Sequence, residues 1–137
     1  MLNFRLNEFL EKIMVTWKEY LASILQKILD SYSVLQSLND KPGDLAIIEK
    51  ELLKINGFFN VLVTKLDSEN YDSKNLETLK SKLNYYLESY YFEKEIQTMT
   101  PLYSEDTNRI KNIRLKILES LQDKKLITNI ETIIEDL

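Results

Sequence analysis

"KINGFFNVLV", Lys54 to Val63, carries one of the two glycines in the chain, and its reading decides the fold. If Gly57 ends a helix, the chain divides into short helices around a loop able to hold a site. If Gly57 is carried through, long helices pack side by side and leave no evident place for chemistry. The neighbouring residues discriminate. Leu45, Ile48, Leu52, Ile55, Phe59, Leu62 and Leu66 alternate steps of three and four, the spacing of one apolar helix face. A turn at Gly57 inserts residues without regard to that period, yet the phase is unbroken. Gly57 is therefore expected inside a helix, despite a cost of about 1 kcal/mol relative to alanine. Asp44 stands where the N-cap of that helix belongs.

Gly57 falls opposite the apolar seam, beside Leu53, Lys54, Asn60 and Val61. Two readings stay open there. The missing side chain lets a bulky ring or a partner approach, or it marks a tolerated surface position. With Phe58, it forms a second candidate contact surface.

Outward from this stretch, breakers are few. Pro42 and Pro101 are the only prolines and Gly43 is the other glycine, so long segments are free to be helical. Polar stretches at 39–44, 67–73 and 98–104 divide the chain. The first segment, about Asn3 to Leu38, carries Leu10, Met14, Trp17, Leu21, Ile24, Ile28, Leu35 and Leu38 on a heptad-like seam. Ile13, Tyr20, Leu25 and Tyr32 widen that seam to suit a bundle core. A third helix is expected from about Ser73 to Met99, on Leu76, Leu79, Leu83, Tyr86, Leu87 and Tyr90. Phe92, Ile96 and Met99 rotate off that line, so its last turns face a different neighbour. A fourth runs from about Ser104 to Lys124 on Ile110, Ile113, Ile117, Leu118 and Leu121, with Ser104, Glu105 and Asp106 as its start. In "TNIETIIEDL", Thr128 and Glu131 have the spacing of a capping box before a short last helix. The expected fold is all-α. It is a single domain over residues 1–137, an antiparallel bundle of four main helices plus a short C-terminal helix.

Composition excludes much. The chain of 137 residues is long enough to bury a core, and its net charge of -4 argues against an electrostatic nucleic-acid binder as a whole. It has no histidine and no cysteine. Common zinc sites, histidine-ligated haem, Ser-His and Cys-His nucleophiles and the Glu-x-x-His di-iron bundle are thereby absent. "KPGD" alone is no phosphate cradle. Glu93 and Glu95, and the group Asp67, Glu69 and Asp72, are the carboxylates nearest to a site; solvated faces and helix caps account for them as well. Neither a metal nor a cofactor is expected. The longest uncharged apolar-rich stretch, between Lys54 and Lys65, is too short to span a bilayer. The expectation is a cytoplasmic protein with no membrane association.

Two clusters remain. "YYLESYYF" places Tyr85, Tyr86, Tyr90, Tyr91 and Phe92 around all sides of a helix. Either the helix is surrounded by core, or one tyrosine side is exposed as a binding surface. Arg109, Lys111, Arg114 and Lys116 form the most basic region; with the tyrosines they make nucleic acid the alternative partner, although they do not line one face. The reading is a non-catalytic protein-binding module (assembly subunit, adaptor or inhibitor), acting through Tyr85, Tyr86, Tyr90 and Tyr91. Its partner is another protein or a second copy of itself.

Overall fold

The computed structural model describes residues 2–68 and 73–137, with side chains in the first helix described for Glu8 and from Thr16 onward. Six α-helices follow one another: α1 (Leu2–Ser37), α2 (Asp44–Ser68), α3 (Lys74–Ser89), α4 (Phe92–Tyr103), α5 (Thr107–Gln122) and α6 (Leu126–Asp136). No strand occurs among the described residues. Glu69 and Asp72 of the second polar stretch, and the side chains of Leu10, Ile13 and Met14, lie outside the described set.

Gly57 lies inside α2, as the unbroken phase requires. Leu45, Ile48, Leu52, Ile55, Phe59 and Leu62 are fully buried and Leu66 nearly so. This stripe is the centre of the molecule, because α1, α3, α4 and α5 all pack against α2. From α1 come Leu21, Leu25, Ile28 and Leu35; from α3, Leu79 and Leu83; from α5 and α6, Ile110, Ile117, Leu121 and Ile130. The whole is one continuous apolar cluster.

The connection from α1 to α2 is built on positive backbone angles. Asp40 has φ +59° and Gly43 φ +91°; the latter conformation is open to glycine and strained for other residues. The Gly43 amide donates to the Ser104 carbonyl at 2.9 Å, fixing this loop to the end of α4. Asp44 does not cap α2 in the expected direction. Its carboxylate instead accepts from the preceding Lys41 amide at 2.9 Å, closing the Lys41–Asp44 turn from inside.

The expected third helix is two helices. α3 ends at Ser89, Tyr90 and Tyr91 leave helical geometry, and α4 begins at Phe92. No proline or glycine forces the break; packing does. At 100° per residue, the buried stripe Leu79, Leu83, Tyr86 and the buried pair Phe92, Ile96 stand about 130° apart on one uninterrupted helix. A single rod would aim one of them at solvent, and the break turns both inward.

Two helix starts also move. Ser104 ends α4, while Asp106 is the N-cap of α5, accepting from the Arg109 amide at 3.1 Å. α6 begins at Leu126, so Thr128 lies within its first turn and no capping box forms. Leu126 and Ile127 are buried, and their burial draws the helix start ahead of Thr128. The bend from α5 into α6 is made by Lys124 (φ 54°) and Lys125 (φ 58°). A left-handed conformation costs a non-glycine residue about 1–2 kcal/mol.

Candidate functional site

The four tyrosines do not share one surface. Tyr86, 3% exposed, stands edge-on to Phe59 with ring centroids 5.1 Å apart. Burial, then the charge of Glu93, raises its hydroxyl pKa. It belongs to the core. Tyr90 is half-buried, stacked on Phe92 at 5.7 Å and 10°, and tilted against Tyr86 at 5.4 Å. Its hydroxyl donates to Asp123 Oδ2 at 2.7 Å, an accepting carboxylate that, with burial, pushes its pKa up to about 12. Tyr85 is half-buried, edge-on to Tyr90 at 6.4 Å, with Lys124 Nζ 3.8 Å from its ring centroid. Tyr91 is 74% exposed.

Tyr91 owes that position to the break between α3 and α4. With φ -130° and ψ 54° it stands as the residue before α4, outside either helix. Its hydroxyl donates to the Glu88 carbonyl at 2.6 Å, so the ring is tied back to α3 while its face is open. Beside it runs a groove of about 530 Å³ lined by Ser89, Tyr90, Glu95, Lys116, Glu119 and Asp123, among others. Lys116 Nζ lies 3.7 Å from Glu95. Leu102, in the last turn of α4, is 67% exposed. Sequence reading passed over Leu102, since a lone leucine in a polar stretch carries no periodic signal.

The second surface is simpler. A Cβ placed on Gly57 would meet nothing within 4 Å. Leu53 and Val61, one turn to either side, are each more than a third exposed. Phe58 is half-buried and packed on the core. The face is open, and none of the described side chains approaches the glycine.

The basic residues are dispersed. Arg114 is withdrawn into the structure, its Nε 2.6 Å from Asp40 Oδ1. Arg109 lies 3.9 Å over the Tyr103 ring and pairs with Asp106 at 3.2 Å. Lys111 and Lys116 are exposed. The carboxylates likewise diverge: Glu93 accepts from Asn56 Nδ2 at 2.9 Å, whereas Glu95 faces Lys116. Among the described residues, no group of three Asp or Glu side chains is arranged to hold a metal ion, and no helix is long and apolar enough to cross a membrane. Comparison with known protein families, curated proteins and solved structures finds no match to this chain.

Proposed function

We propose that this chain is a non-catalytic, cytoplasmic protein-binding module, an assembly subunit, adaptor or inhibitor, that engages another protein through the outer face of α4. In this reading α3 and α4 together take the place of the third helix in an antiparallel bundle of four main helices, with α6 as the short C-terminal helix. The observation that carries it is Tyr91, a large ring held by a hydrogen bond at a helix break and left three-quarters open. A rigid exposed tyrosine offers much contact area with little conformational entropy to lose on binding. Tyr90 lines the groove beside Tyr91, and Tyr86 packs against Tyr90 from the core.

Affinity capture from the native cell, with wild type and Tyr91→Ala compared by mass spectrometry, tests this. A partner retained by wild type and lost by the variant supports it; an unchanged set of captured proteins overturns the Tyr91 surface. The nucleic-acid alternative has less support, because Arg114 and Arg109 are engaged within the chain. Salt-sensitive oligonucleotide binding that depends on Lys111 and Lys116 would restore it.

A further inference from the structure

The sharpest backbone feature of the molecule is the bend from α5 into α6. Asp123 is extended (φ -57°, ψ 140°), and two successive lysines then take left-handed angles. Left-handed backbone is the ordinary domain of glycine, and lysine adopts it against a steric penalty. Gln122 to Leu126 contain neither glycine nor proline, and straight-chain residues such as Gln and Lys favour a continuing helix. No breaker residue within Gln122 to Leu126 places the bend there, so its cause lies in the packing on either side.

The reason for the bend lies in the two apolar faces. On a continuous helix at 100° per residue, the α5 set Ile110, Ile113, Ile117 and Leu121 lies about 160° from the α6 set Leu126, Ile127, Ile130 and Ile133. All eight are buried. A straight rod cannot bring both sets to one core. It can, however, bring one set to the core of its own chain and the other to the core of a second copy.

We infer that this chain forms a dimer by exchanging α6: the bend at Asp123–Lys125 straightens, and each α6 docks on the α1 and α3 of the other copy. The contacts of α6 with α1, α3 and α5 are re-made with the other copy, because the two berths are identical, and only those with the bend itself change. Lys124 and Lys125 return to right-handed helix and the backbone bonds across the junction form. What holds the closed form is the clasp of Tyr90 on Asp123 and of Lys124 on Tyr85, together with the Gln122 to Tyr32 contact. In addition to the protein engaged through Tyr91, the chain thus takes a second copy of itself as a partner, joined through the exchanged segment.

The test uses two double variants that act in opposite directions. Lys124→Gly with Lys125→Gly makes the bend comfortable. Lys124→Ala with Lys125→Ala strengthens the continuous helix while keeping the penalty in the bend. Each full-length protein is refolded at high concentration and its mass is read by light scattering on a sizing column. The alanine pair is expected to be mainly dimeric and the glycine pair monomeric, with association constants differing at least about tenfold. The alanine dimer, once diluted, should dissociate slowly, since α6 must leave its berth. Equal masses for the two variants, a monomeric alanine pair, or a dimer that dissociates within the dead time of dilution would each overturn the exchange. Circular dichroism confirms that both variants are helical before the masses are compared.

Discussion

Arg114 of α5 grips both carboxylate oxygens of Asp40, Nε to Oδ1 at 2.6 Å and Nη2 to Oδ2 at 3.0 Å, while Nη1 donates to the Leu35 carbonyl at 3.2 Å. One planar fork thus fixes the end of α1, the left-handed residue after it and the middle of α5. The two side chains are only 11% and 15% exposed. The Asp40 hydrogen bond outweighs desolvation and raises the guanidinium pKa further.

Arg114→Ala is therefore expected to destabilise the protein by about 2–3 kcal/mol, the worth of charged hydrogen bonds left without their donor. Arg114→Lys should recover only part of this, since an ammonium cannot reproduce the two parallel bonds. Urea unfolding of the two variants measures both. A lysine variant as stable as wild type would show that charge alone suffices.

The Tyr90 to Asp123 bond predicts an alkaline limb in stability. An unfolded tyrosine ionises near pH ~10, whereas folded Tyr90 is pushed up to about 12. The folded state holds the proton more tightly, so its contribution is complete below the unfolded value. It is lost as pH rises through that value towards the folded one. Tyr90→Phe, which keeps the stacked ring, should flatten this decline. Denaturant midpoints taken across the alkaline range would show it, and identical slopes for wild type and variant would contradict the assignment.

Tyr86 and Tyr91 should respond oppositely to truncation. Tyr86→Ala removes a buried ring from the centre of the cluster and should cost about 3–5 kcal/mol. Tyr91→Ala should leave stability within about 0.5 kcal/mol of wild type, while partner capture falls. Thermal unfolding beside the capture experiment separates the two roles.

Gly57→Ala should stabilise the protein by about 0.4–1 kcal/mol, since the helix is continuous there and the added methyl meets nothing. An increased urea midpoint is the expected result. A decrease would show that the added methyl is not accommodated in the folded chain.

The apolar phase of α2 was legible because a helix wheel is a local property: seven residues in register across Gly57 leave one conformation that buries them all. The same rule showed Phe92 and Ile96 rotating off the line of Leu79 and Leu83, which fits one long helix meeting a second neighbour as well as it fits a bend; the chain bends, between Ser89 and Phe92. Helix starts were less legible. Ser104, Thr128 and Asp44 all have capping chemistry; burial of Leu126 and Ile127, and the ties from Gly43 to Ser104 and from Asp44 back to Lys41, redirected them. Of the candidate site, the sequence marked the tyrosine cluster as unusual and no more. Which ring is core and which is open depends on what lies across from each helix face.

What the residues alone determined is the class: helical periodicity and scarce breakers make an α-helical molecule, and the lack of histidine and cysteine removes the chemistry of those two side chains. What only the tertiary structure decided is direction. It buried Tyr86 and opened Tyr91, spent Arg114 on Asp40, and bent α5 into α6 through two left-handed lysines. Periodicity is written within a few turns of chain, whereas exposure and strain arise from the competition of distant apolar faces for one shared interior.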